Sequence, residues 1–351
     1  MGFQGLTGFG GGISYLNGSA VGYDIAVGYD GSPRISVYPW SSGFGTKYAD
    51  PSTVPTDTVH GIAFSPDGAD LAVAHQAAPW VTAYPWTSGT GFGTKYADPS
   101  TTPGSQGMGI AFSPDGLDLA IAHDSSPYVS AYPWTSGSGF GTKYSDPSTL
   151  PSSYGAVAFS PDGLDLAVAQ YYSPYISVYH WSSGFGTKYA DPSTLPGGRC
   201  VSVAFSPDGA DLAVAHLASP YINVYPWSSG FGTKYSDPST LPPNNCWSVA
   251  FSPDGADIAL GHAGSPYVSA YPWTSGSGFG TKYSDPSTLP TGYGRSIAFS
   301  PDGSLLAVAH SNSPYISVYP WSSGSGFGTK YANPGTLPVS YAMSVAFSPA
   351  S

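Results

Sequence analysis

The chain has 351 residues, a formal net charge of −11, 41% apolar and 15% aromatic residues, and only 9% charged residues. The apolar share can fill a core, and the acidic balance argues against a sequence-blind nucleic-acid or anionic-membrane binder, which needs a basic stripe. No apolar run reaches membrane-spanning length, two cysteines cannot build a disulfide framework, and all 21 acidic residues are Asp, a skew towards turns that fits an all-β chain.

The opening MGFQGLTGFGGG lacks the basic and apolar regions of a secretory signal, and residues 1–21 read as a Gly-rich arm. From residue 22 to residue 351 the chain reads as one repeat array. Its first strand-like run, Asp24 to Tyr29, has no standard partner before it. Ser-Pro-Asp-Gly turns then start at Ser65, Ser113, Ser160, Ser206, Ser252 and Ser300, with a broken one at Ser348. A period of 46 to 48 residues with four strand-like runs per unit is the signature of a propeller blade.

Within a unit, run a (SVAF) is joined by SPDG to run b (DLAVAH). A Ser-Pro segment leads to run c (YISVY), PWSSG leads to run d (FGTKY), and DPSTLP carries the chain to the next unit. Runs a and d each occur seven times, but the last a run, Ser344 to Ser348, has no b run after it. The expected fold is therefore all-β. It is a seven-bladed β-propeller of four-stranded antiparallel blades, closed by a C-terminal inner strand joining N-terminal strands. A competing reading makes Ile13 to Gly18 a degenerate a strand with an Asn-Gly turn.

VAFSPDG followed by LAVAH and YISVY resembles the WD-repeat and YVTN-type propellers over nearly the whole chain. The chain departs from WD repeats in two places. No Gly-His precedes strand a, and strand c ends in Pro-Trp where WD repeats have Trp-Asp, so their buried hydrogen-bond relay is not assured. The FGTKY and DPSTLP segments are similar to repeats of tailed-bacteriophage virion proteins.

Repeating residues read as scaffold. His75, His123, His216, His262 and His310 end five b runs, with Tyr29 and Gln170 in the other two places, so the ring is incomplete for a metal and suits bonds to the b–c turn. Asp pairs such as Asp67/Asp70 offer too few oxygens for calcium and read as turn formers. The seven Lys of FGTKY read as solvated, and the seven Trp of the Tyr-x-Trp place as packing caps. Cys200 and Cys246 occupy equivalent places in adjacent blades and read as free thiols. No GxSxG or HExxH motif is present.

Two segments escape the repeat, one before run a and one after run b, and both emerge on one face around the channel mouth. They hold Trp247, Arg199, Arg295, Tyr154, Tyr171, Tyr172, Tyr293, Tyr341 and Met108, side chains that make binding hot spots. The sequence reading is a non-catalytic binding propeller with no cofactor and no metal, neither binding nucleic acid nor inserting in a membrane. Through its resemblance it implies a bacteriophage virion component, a tail or head appendage. Such a component would be made in the host cytoplasm and would contact other virion proteins or a host-surface receptor. The alternatives are a carbohydrate-binding propeller and a lactonase- or lyase-like enzyme. The enzyme would need acids or His at the channel mouth, where Asp57, His60 and Asp124 are the candidates.

Overall fold

Turn chemistry folds each unit into an antiparallel meander. At the first a–b turn, Ser65 Oγ donates to Asp67 Oδ1 and accepts from Asp70 N, and Gly68 takes the left-handed φ of +70° that closes the turn. The turns at Ser113, Ser160, Ser206, Ser252 and Ser300 are built alike. The computed structural model describes residues 22–350. Its inner strands are Val59–Phe64, Gly107–Phe112, Val157–Phe159, Cys200–Phe205, Cys246–Phe251, Gly294–Phe299 and Ala342–Phe347, which define blades one to seven around the axis.

Blade seven is closed as expected. Ala342–Phe347 pairs with Tyr23–Tyr29, placing Phe347 opposite Ile25 and Val345 opposite Val27. Asp24 N donates to Ser348 Oγ, and Ser348 N donates back to Asp24 O. The Ile13 to Gly18 alternative lies outside the described residues, and the strand edge it needs is already taken by Ala342–Phe347.

Strand d is shorter than FGTKY suggested. In blade one only Gly91–Phe92 pairs with strand c, although Gly93 N still reaches Pro85 O and Tyr96 N reaches Ala83 O. The reason is the proline of Pro-Trp, which has no N–H to give the ladder. In blade three His180 stands in that place, and strand d there extends over Phe185–Lys188.

Strand b is buried at every position in each blade because both blade faces are covered by neighbours. The strongest polar contact between blades crosses at its start. Asp70 accepts Trp134 Nε1 from the next blade at 3.0 Å and Tyr96 OH at 2.5 Å. Asp24, Asp118, Asp165, Asp211 and Asp257 repeat the arrangement. This corrects two sequence expectations. The second Asp of each pair is a buried interblade acceptor and not a turn former, and the Trp is a hydrogen-bond donor as well as a cap. Strand c adds a second tie, since Tyr84 OH and its six counterparts each donate to a Thr carbonyl of the DPST connection.

The lysines are not freely solvated either. Lys47, Lys95, Lys143, Lys188, Lys234 and Lys282 each pair with the Asp three residues on, and the Lys47 side chain is only 14% exposed. Cys200 and Cys246 are free and buried in interblade clusters, where burial pushes both thiols up.

Four of the five b-strand histidines bond across to strand c: His75 Nε2 meets Thr82 Oγ1 at 2.9 Å, and His123, His262 and His310 meet Ser130, Ser269 and Ser317. His262 Nδ1 also reaches Gly264 O in the b–c turn. Gln170 and Tyr29 make the same contact to Ser177 and Ser36.

Two predictions follow from this framework. Removing residues 342–351 strips the inner strand from blade seven and exposes an apolar edge, so the truncated chain should aggregate or melt well below the parent; a monomer with the parental Tm would refute closure. Burial also pushes His75, His123, His216, His262 and His310 down to about 4 from an ordinary value of 6.5. Because the folded value is the lower one, the stability they contribute is complete above pH 6.5 and is lost as pH falls from 6.5 to 4. Each contributes a slope of at most about 1.4 kcal/mol per pH unit. His123→Gln, copying Gln170, should keep the cross-strand bond and flatten the slope, measured by denaturant unfolding across that range.

Candidate functional site

The inner strands carry the irregularity that builds the site. In six blades strand a has one residue more than the b strand it pairs with. In blade one, Val59 faces His75 and Gly61 faces Ala74, leaving His60 extra. The other extra residues are Met108, Val201, Trp247, Arg295 and Met343. Such a bulge re-aims a side chain, and these six line the central channel around a cavity of about 300 Å³. Blade three has no bulge. Its backbone there is tight, as a Cβ on Gly155 would lie 2.2 Å from Ala169 O, and the blade offers the cavity only Ala156 and Val157.

One level out, Thr58, Gln106, Tyr154, Arg199, Asn245 and Tyr293 form the rim. Each uses its carbonyl to accept the amide of the first residue after strand b, such as Gln76 N on Thr58 O. The rim of blade one is acidic. Thr58 Oγ1 donates to Asp30 Oδ1, Asp57 Oδ1 accepts Thr58 N at 2.8 Å, and Arg34 lies 3.9 Å from Asp57.

Three polar groups on the channel wall are left without partners. His60 Nδ1, Trp247 Nε1 and Arg295 Nε are buried and unbonded. The Arg295 guanidinium lies over the Trp247 ring at 4.5 Å, and among the described residues no carboxylate pairs with it. Burial lowers its pKa, opposed by Tyr341 and Tyr293 beside it. Burial also holds His60 below its ordinary value, against the opposing pull of Asp30 and Asp57, so the ring is neutral at pH 7. Leaving such groups unpaired costs stability.

The residues singled out from sequence divide among three places. Trp247, Arg295 and Met108 line the channel. Tyr154, Arg199, Tyr293 and Tyr341 stand at or beside the rim. Tyr171 and Tyr172 sit on the b–c loop of blade three. Arg295 does neighbour Trp247, whereas Arg199 does not: it lies 4.2 Å over the Tyr171 ring and bonds that hydroxyl. Sequence reading offered Asp57, His60 and Asp124 as separate candidates at the channel mouth. Asp57 and His60 are in fact drawn together with Asp30, which it missed. The available signal was positional, because His60 and Arg295 occupy the same variable place four residues before their strand-a Phe.

No protein-family model matches the chain, and no curated protein matches it. Solved structures do. A candidate 6-phosphogluconolactonase from Bacteroides fragilis is 15% identical, with a TM-score of 0.76 over 93% of this chain and 98% of that one. The periplasmic gluconolactonase of Pseudomonas aeruginosa is 18% identical, with a TM-score of 0.73 over 94% and 100%. At this identity the likeness shows the fold, a seven-bladed propeller. It corrects the sequence reading of function: the neighbours named are lactonases, so the non-catalytic virion component is set aside, and neither is a WD-repeat or phage-tail protein.

Proposed function

We propose that this protein hydrolyses a sugar-derived lactone in the channel. The observation that carries the reading is that His60, a neutral imidazole, and Arg295, a cation stacked on the Trp247 ring, line one cavity of about 300 Å³. Lactone opening needs a base for water and a donor for the oxyanion, and the cavity wall offers His60 for the first and the Arg295 guanidinium for the second. The solved lactonase propellers of the same fold support the choice of reaction by analogy.

In this reading neutral His60 takes a proton from water as the water oxygen bonds to the lactone carbonyl carbon. The charge that develops on the carbonyl oxygen is met by the Arg295 guanidinium. Collapse of the tetrahedral intermediate breaks the ring C–O bond, and the proton on His60 passes to the departing alkoxide, giving a hydroxy acid. Asp30 and Asp57 favour the imidazolium that forms in between. Arg295, stacked on Trp247, also suits the carboxylate of the product.

The test is hydrolysis of glucono-1,5-lactone and its 6-phosphate, followed by pH-stat above the spontaneous rate. His60→Ala should lower kcat by about 10² or more, and Arg295→Ala by a comparable factor. Because the His60 value is depressed, activity should hold as pH falls through 6.5 and drop only below it. Wild-type rates equal to the spontaneous ones, or a His60→Ala variant with full activity, would sink the reading.

A further inference from the structure

We propose that the rim over blade three binds a second, neutral pyranose ring, so that the substrate is a lactone carrying a further sugar. This rests on the lactone reading of the channel. Blade three is the one inner strand without a bulge, and there the wall contributes Ala156 where its neighbours contribute Met108 and Val201. The cavity wall is therefore smallest on this side, and the Tyr154, Tyr171 and Tyr172 cluster of the variable face belongs to the same blade, Tyr154 lying two residues before Ala156.

The assembly is a built platform. Tyr154 and Tyr171 stack at 5.5 Å with an interplanar angle of 13°, and Arg199 lies over Tyr171 at 4.2 Å. Tyr171 is thus held between a cation and a second ring, and Tyr154 remains partly exposed. Tyr172 stands at 86° to Tyr171 and is 60% exposed, more than any other described Tyr. The apolar C–H face of a pyranose lies naturally on such rings. Beside the platform, Gln106 Nε2 donates to Asp124 Oδ2 at 2.7 Å, leaving further acceptor and donor capacity for sugar hydroxyls.

The electrostatics select a neutral ring. The charge of Asp124 reaches Tyr154, and Arg199, the one nearby cation, is committed to Tyr171. A second anionic group would meet repulsion and find no free partner. An anionic group on the first ring has Arg295 instead, on the far side of the channel.

The experiment uses the full chain in two arms. The first is calorimetric titration with cellobiose, maltose and lactose, none of which is a lactone. The second compares kcat/KM for the three corresponding aldobionolactones with that for glucono-1,5-lactone. We expect at least one disaccharide to bind and its lactone to be preferred tenfold or more. Tyr154→Ala and Tyr172→Ala should each weaken that binding tenfold and erase the preference, while Tyr154→Phe and Tyr172→Phe, which keep the rings, should retain both. Tyr-dependent disaccharide binding without turnover of any lactone keeps the sugar subsite and removes the lactone reading. No disaccharide binding and no preference overturns the subsite even if gluconolactone is hydrolysed, as does binding that both alanine variants leave intact.

Discussion

A carboxylate buried at the start of strand b, taking an indole N–H from the next blade and a phenol O–H from its own, is the contact on which this ring depends. It joins six of the seven blade boundaries. Each Asp sheds its water and recovers it as two directed bonds, and losing either donor would leave a buried charge short of partners, so Asp, Trp and Tyr are constrained together. The seventh boundary shows what happens without it. Leu305 stands in the Asp place, and the seam to blade seven closes instead as the largest apolar cluster, with Tyr331 edge-on to Trp40 at 4.8 Å. The boundary beside the split blade is thus the one that relies on apolar packing, where the polar relay is absent.

With spacing fixed at the outer half of each blade, the inner half is free to vary. Serine hydroxyls on strand a still lash some inner strands together, as Ser248 Oγ accepts Ile297 N and Ser344 Oγ accepts Ile62 N. The bulged residue beside each of these takes no part in the ladder, so its identity costs the fold little. His, Met, Val, Trp and Arg all occur there. A repeat array has in this way one exempted position per blade, all aimed at one cavity.

The architecture was legible because it is written in turn residues and period. SPDG, Pro-Trp and the split blade needed no structure to read. The two halves of the relay were less legible. Asp70 looks like part of a turn until its carboxylate is seen to cross to Trp134, a partner 64 residues away that no local pattern announces. Strand d was overestimated for a related reason: the missing proline N–H acts on the neighbouring strand and not on its own. Variation marked Trp247 and Arg295, which line the channel, but a bulge is invisible to period-2 alternation. So His60 read as an isolated residue, and Arg199 was assigned to the channel neighbourhood when its charge is spent on the Tyr171 ring.

The histidines show why chemistry belongs at the break in the repeat and not in the repeat itself. Five of the seven are framework residues, buried at the end of strand b, and in four of these Nε2 is bonded to a strand-c hydroxyl. Their protonation would have to displace that packing, which is why burial holds them near 4 and unavailable as acid–base groups at neutral pH. His60 differs in each respect that matters. It is only partly covered, it lines a cavity, and Asp30 and Asp57 favour a gained proton. The same side chain is thus inert where the repeat specifies it and poised where the repeat lapses. A propeller can change its chemistry at such places without disturbing the contacts that hold its blades.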